Sequence, residues 1–261
     1  MARSTKLERQ EQALEAIYRR AEEKLRKMLA EDLEKGNLGS ARYRRKRLDS
    51  VRQVLSDLQD EAIPAATQLT TAAYIEGATA AALATGNPVP DFGSGQNRQA
   101  LELLADHLSE GLNGAAEQVG RRIEDVYRRV GLEAASQQLA QGNTLRDATK
   151  ELLELLEQQG LSAGPGGARN WSLSRYAEMV IRTNTTQAVT RGNINMAVAD
   201  GFDLVEVLVI GDELLCDECS PYADKVFTLG DRPGYETLEE YPPFHPNCRC
   251  DLNILTEDPN A

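Results

Sequence analysis

At 261 residues, 41% of them hydrophobic, the chain is long enough for one large domain or two modest ones, each with its own core. No run of about 18 apolar residues occurs, and the opening "MARSTKLERQEQ" lacks an apolar centre. Neither a membrane-spanning helix nor a secretory signal is therefore expected, and the chain reads as made and kept in a cytoplasm.

The net charge of −12 is unevenly placed: residues 200–261 hold fifteen acidic and three basic side chains, which leaves the preceding part neutral. Apolar residues Leu7, Leu14, Ile17, Tyr18, Ala21, Leu25, Met28 and Leu29 recur at three- and four-residue steps, predicting a helix from Leu7 to Leu33 that ends at "EKGNLGS". The basic run "RYRRKR" follows. Its Arg42, Arg44, Arg45, Lys46 and Arg47 form either a solvated helix face or a contact for nucleic acid or an acidic partner. A second helix is predicted from Ser40 to Gln59, with Leu48, Val51, Val54, Leu55 and Leu58 on its buried side and Pro64 as the next boundary.

Residues 65–86 are rich in Ala and Thr, whose small side chains let a helix approach a neighbour closely. "TGNPVPDFGSGQ" reads as a linker, and further helices are expected around 97–114, 115–141 and 144–159. Thr144 with Asp147 gives the last of these a start resembling a capping box. The glycines and proline of "QQGLSAGPGGARN" cannot sustain a helix or a central strand, so the chain is divided there.

Beyond it, a helix from Ser172 to Ala199 should end at Gly201, a favoured C-terminal capping residue. Strands are expected at Phe202–Ile210, Lys225–Leu229 and Asp251–Leu255. The predicted fold class is α+β and predominantly helical. A helical arm or bundle, 1–160, is followed by a Gly-rich hinge, 161–171, and by a C-terminal module, 172–261, with one helix on a sheet of about three strands.

All four cysteines fall near the C-terminal end, and in a reducing compartment clustered thiols read as metal ligands before disulfides. "CDEC" sets Cys216 and Cys219 two residues apart, and "HPNC" repeats the spacing with His245 and Cys248. Two such pairs supply the four ligands of a tetrahedral zinc ion. Cys250 is the alternative fourth ligand. Cys248 is favoured because its gap from His245 matches the first pair, and only one of the two thiols is expected to face the ion.

With so many donors, a closed structural zinc is preferred to an open catalytic one in which Asp217 or Glu218 would act as base. No Walker loop, G-x-S-x-G or H-E-x-x-H occurs, and His107 reads as a helix-surface residue, so no enzymatic activity is expected.

The ordered set of Cys216, Cys219, Pro243, His245, Pro246, Asn247, Cys248, Arg249 and Cys250 follows a helix that carries Arg182 and Gly192. Over Tyr176–Leu255 this segment resembles the C-terminal module of the phage Mu F-like and phage SPP1 minor head proteins, the head morphogenesis family of tailed bacteriophages. The resemblance implies a minor capsid protein made in the bacterial host cytoplasm and carried inside the virion in few copies. It implies association with the portal protein, a role in procapsid assembly, and roles in DNA packaging or ejection. Major capsid or scaffolding protein, other copies of the chain and packaged DNA are the further partners it brings; no membrane is among them.

Overall fold

Buried apolar stripes at helical spacing organise most of this chain, and among the described residues only the C-terminal part pairs strands. The computed structural model describes residues 4–35, 40–89, 91–92, 95–137, 172–209, 216–223 and 225–259. Among them are four helices, α1 (Thr5–Lys35), α2 (Ala41–Thr85), α3 (Gly95–Gln137) and α4 (Leu173–Ala199). The strands are β1 (Leu204–Leu208), β2 (Val226–Thr228), β3 (Glu236–Thr237) and β4 (Asp251–Leu255). The fold is mostly helical with a small C-terminal sheet, as the composition and periodicity imply. The expected helix at 144–159 and the glycine-rich hinge at 161–171 lie outside the described residues.

Two boundaries differ from the sequence reading. Pro64 does not end a helix but lies inside α2. Proline removes one backbone donor, yet Pro64 and Ile63 face solvent, where water can satisfy the freed carbonyl. On the opposite side Leu58, Ala62, Ala66 and Leu69 keep the buried stripe unbroken. Likewise the two helices expected around 97–114 and 115–141 are continuous over the described residues, as α3. Gly114 costs about 1 kcal/mol of helix propensity, which the stripe Leu104, Leu108, Leu112, Ala115, Val119, Ile123, Tyr127 and Val130 offsets.

Helix ends follow local chemistry. Ser4, Ser40 and Ser172 turn their hydroxyls to the N–H groups of Leu7, Tyr43 and Arg175, capping α1, α2 and α4. At the end of α4, Gly201 adopts φ 84°, the Gly201 N–H donates to the Val198 carbonyl and the Phe202 N–H to the Ala197 carbonyl. This paired closure of the last turn is what the glycine permits.

The chain forms two compact units from discontinuous segments. One comprises Gln12–Ala65 and Ser109–Glu178. Leu14, Tyr18 and Leu25 of α1, Val51 and Leu58 of α2, and Ile123 and Tyr127 of α3 form its core. A polar knot is buried within it: the fully enclosed Asp32 carboxylate accepts from the Tyr43 hydroxyl at 2.6 Å, the Arg47 Nε at 2.5 Å, and the Tyr127 hydroxyl. A buried charge is tolerated only with such partners. The start of α4 is held by Glu22, which accepts from the Ser174 N–H at 2.8 Å.

The other unit comprises residues 1–11, Ala66–Leu108 and the chain from Met179 onward. Its sheet has the order β3-β2-β1-β4, with β1 antiparallel to both β2 and β4, and β2 parallel to β3. Val205 pairs with Phe227 on one side and Ile254 on the other. These side chains, with Ile194, Met196 and Ala197 of α4 and Ala78, Ala81 and Ala82 of α2, make a continuous core that includes Cys219, Cys248 and Cys250.

Candidate metal centre

Each half of the cysteine motif is a turn whose backbone bonds aim its donors. In the first, the Cys219 N–H donates both to the Cys216 carbonyl at 3.1 Å and to the Cys216 Sγ at 3.3 Å. The chain then enters a single 3-10 turn at Ser220–Tyr222. In the second, the Cys248 N–H donates to the His245 carbonyl at 3.1 Å, which closes a turn through Asn247 at φ 60°. Asparagine tolerates that left-handed conformation better than most residues. The Asn247 N–H in turn donates to Thr183 Oγ1 of α4 at 3.1 Å, so the helix fixes the second turn against the sheet.

The turns face each other. His245 Nε2 lies 3.2 Å from Cys216 Sγ and 3.1 Å from Cys219 Sγ, and Cys219 Sγ lies 3.7 Å from Cys248 Sγ. Cys216, Cys219 and His245 form one group with ligand atoms all within 4.8 Å, and Cys219, Cys248 and Cys250 form a second that shares Cys219. Both Cys248 and Cys250 are buried. Residues two apart in an extended segment share a face, so both thiols turn inward, where the sequence reading expected only one.

Such a cluster fits a metal ion. Ligands about 2.3 Å (sulfur) and 2.0 Å (nitrogen) from a tetrahedral ion lie roughly 3.8 Å apart for two sulfurs and 3.5 Å for sulfur and nitrogen. The observed separations agree to within a few tenths of an ångström. His245 Nδ1 is 2.9 Å from the Pro246 carbonyl, which places the proton on Nδ1 and leaves the Nε2 lone pair facing the sulfurs. Sulfur and imidazole donors suit a thiophilic transition-metal ion rather than calcium or magnesium.

The thiols also divide electrostatically. The hydrogen bond from Cys219 pulls Cys216 down, and the hydrogen bond from Cys250 pulls Cys248 down to about 5. Burial pushes Cys219 up to about 12, and the adjoining Cys248 together with burial pushes Cys250 up as well. For His245, burial works against the charged form but is outweighed by the Pro246 carbonyl and the neighbouring sulfurs, so its value rises. Two thiols are thus shifted toward the thiolate and two away from it, and a bound cation would favour the thiolate in all of its ligands.

Two aromatic residues that the sequence reading passed over fasten the halves together. Tyr222, three residues after Cys219, stacks on Phe244, just before His245, with ring centres 4.1 Å apart and planes at 8°. Tyr222 also meets Phe227 of β2 at 5.9 Å. An aromatic residue close beside each ligand pair was the available signal. From α4, Arg191 lies over the Tyr241 ring at 4.8 Å, and Asn193 donates to the Leu252 carbonyl at 3.1 Å.

The basic run does not act as one patch. Arg47 turns inward to Asp32, to the Met28 carbonyl at 2.6 Å and to Glu31 at 3.3 Å. Arg44 is half-buried against Gly131 of α3, while Arg42, Arg45 and Lys46 are exposed. His107 is exposed on α3, away from the motif in sequence and outside both donor groups.

The fold and the cluster together define a predominantly helical protein whose small C-terminal sheet is tied at a Cys/His site able to hold a metal ion. The chain belongs to the family described as phage minor capsid protein 2, whose sequence model matches residues 3–249. The match extends far beyond Tyr176–Leu255, on which the resemblance to minor head proteins rested, and takes in α1, α2 and α3. No curated protein and no solved structure matches the chain. Family membership makes this a phage structural protein of the virion whose partners are other head components.

Proposed function

We propose that this minor capsid protein associates with the portal inside the head, acts in procapsid assembly, and carries a structural zinc ion on Cys216, Cys219, His245 and Cys248. The observation that carries the zinc reading is the convergence of two backbone-stiffened turns on one point, with a fourth thiol nearby in Cys250. When bound, zinc would supply a cross-link between the turn after β1 and the turn before β4. Four protein donors leave no open position for an activated water, which favours a structural over a hydrolytic role.

Portal association rests on the family together with the long helices, whose exposed faces offer surface to other head components. Roles in packaging or ejection of DNA would follow from a position at the portal.

Native mass spectrometry of the freshly purified, reduced chain, before and after a chelator, tests the metal: a loss of one zinc mass is expected. Unchanged mass in both states overturns the zinc assignment. For the assembly role, heads made without this chain should show reduced portal content or infectivity. Heads normal in both would remove the proposed role while leaving the metal site untouched.

A further inference from the structure

We infer that Cys250, the thiol left over when zinc takes its four ligands, is a redox partner for Cys219: under a peroxide the two close a disulfide that removes Cys219 from the metal. Release of the ion rests on the zinc reading above; the disulfide does not.

The sulfur geometry carries this reading. A tetrahedral site is complete with four donors, yet Cys216, Cys219, His245, Cys248 and Cys250 supply one more. Cys219, Cys248 and Cys250 are each 4% exposed, and their sulfur atoms lie within 4.8 Å of one another. Cys219 is the one residue common to both donor groups. An ion and a bond to Cys250 therefore compete for the same sulfur.

Other pairings fit less well. A bridge between Cys216 and Cys219 stays within one turn and leaves the other untied. Cys248 and Cys250 are separated by a single residue, and a disulfide between them closes a ring too small for relaxed torsions. Cys219 and Cys248, 3.7 Å apart, are both zinc ligands in the proposed site, so the ion shields both sulfurs. Cys250 alone among the four thiols is left free by that ligand set, and it can attack an oxidised Cys219 while the other ligands still hold the ion.

The chemistry balances with a peroxide as oxidant. The Cys219 thiolate attacks a peroxide oxygen; the S–O bond forms, the O–O bond breaks, and hydroxide leaves a sulfenic acid on Cys219. The Cys250 thiol then attacks that sulfur. The S–S bond forms, the S–O bond breaks, and the oxygen departs as water with the proton of Cys250. Two electrons pass from the two sulfurs to the peroxide, and zinc, deprived of Cys219, leaves as the dication.

One cross-link thereby replaces another. The bridge would tie the first turn to the residue just before β4. The Tyr222–Phe244 stack and the bond from the Asn247 N–H to Thr183 do not pass through the ion, so they keep the sulfurs within reach as it leaves. A virion protein has to last outside the cell, where disulfides form and persist, whereas a reducing cytoplasm keeps thiols free for a metal.

The test uses the full chain, reduced and zinc-loaded, then exposed to hydrogen peroxide with a chromogenic chelator that reports released zinc. Remaining thiols are alkylated and the chain is digested without reductant; trypsin cuts after Arg249 and so separates Cys248 from Cys250. The Cys250 peptide should be cross-linked to the peptide that carries Cys216 and Cys219. That link should persist in Cys216→Ser and vanish in Cys219→Ser. Zinc release should be slower by at least about fivefold in Cys250→Ser, and dithiothreitol with added zinc should reverse the wild-type loss. Cys250→Ala, read in the same way, guards against the effect of a buried hydroxyl, and circular dichroism checks the fold of each variant. A bridge confined to Cys216 and Cys219, a bridge from Cys219 to Cys248, sulfinic acid without any bridge, or equal zinc release in wild type and Cys250→Ser overturns the switch. The mapping is repeated on chelator-treated chain. A chain that never carries zinc but forms the Cys219–Cys250 bridge sinks the zinc reading and keeps the disulfide, while a zinc-bearing chain without the bridge sinks the disulfide alone.

Discussion

Gly192 and Gly77 show how much of this fold is decided by single atoms. A Cβ at Gly192 would fall 2.1 Å from the Tyr74 carbonyl oxygen, and one at Gly77 would fall 1.9 Å from the Val189 carbonyl oxygen, so backbone meets backbone where α4 crosses α2. Backbone cannot swing aside as a long side chain does. Gly192→Ala should therefore destabilise the protein by about 2–3 kcal/mol, an overpacking cost, read from the denaturation midpoint at unchanged slope. A loss below about 0.5 kcal/mol would mean that the helices separate cheaply. The thiols allow a second residue-level prediction. If Cys248 completes the metal shell, Cys248→Ser should lose the metal while Cys250→Ser retains it, as weighed by native mass spectrometry. The reverse pattern would make Cys250 the ligand, with Cys248 its buried neighbour.

Elements depend on side chains contributed from far away in sequence. Glu22 in α1 accepts the Ser174 N–H at the first turn of α4 and pairs with Arg26 at 2.8 Å. Burial pushes its carboxyl up, but the Ser174 hydrogen bonds and Arg26 outweigh that, so its folded value lies below the ordinary one. A carboxyl lowered by folding stabilises fully above the ordinary carboxylate range and loses its contribution as pH falls through and below that range. Glu22→Gln should cost about 1–2 kcal/mol at neutral pH. The gap from wild type should narrow steadily below about pH 4, measured by urea denaturation across pH. A gap that stays constant would mean the residue acts by packing rather than charge. The sequence showed such elements unevenly. Helix α4, its Gly201 cap and strand β1 were legible because periodicity, capping chemistry and β-branched content gave each its own signal. The continuity of α2 through Pro64 was not, since whether a proline breaks a helix depends on which face it occupies. Strand β3 is two exposed polar residues, Glu236 and Thr237, whose only cue is their partner β2. The cysteine spacing revealed the metal site, but the Tyr222–Phe244 stack that closes it depends on pairing across the loop between the two turns.

At the scale of the molecule, the two units draw stability from different sources. The unit built from Gln12–Ala65 and Ser109–Glu178 has long apolar stripes and the buried Asp32 knot. The unit that holds the sheet has strands of five, three, two and five residues, and two of the loops joining them converge on the cysteine cluster. Short strands bury little area, so a metal cross-link would matter most there. Ligand binding stabilises only the state that binds, by RT ln(1 + [L]/Kd), which reaches about 4 kcal/mol at a thousandfold excess over Kd. Removing the ion withdraws that contribution from the sheet unit alone. Hydrogen exchange with and without chelator would resolve the difference by position. Amides of Leu204–Leu208 and Asp251–Leu255 should lose protection by about two to three orders of magnitude when the ion is removed. Amides around Leu14, Ile17, Val51 and Leu58, in the helical unit, should change by less than about threefold. Uniform loss across both sets would mean that the chain opens as one cooperative body. Full protection of the sheet in chelator would show that its apolar core, with Val205, Phe227 and Ile254 at its centre, suffices without any ion.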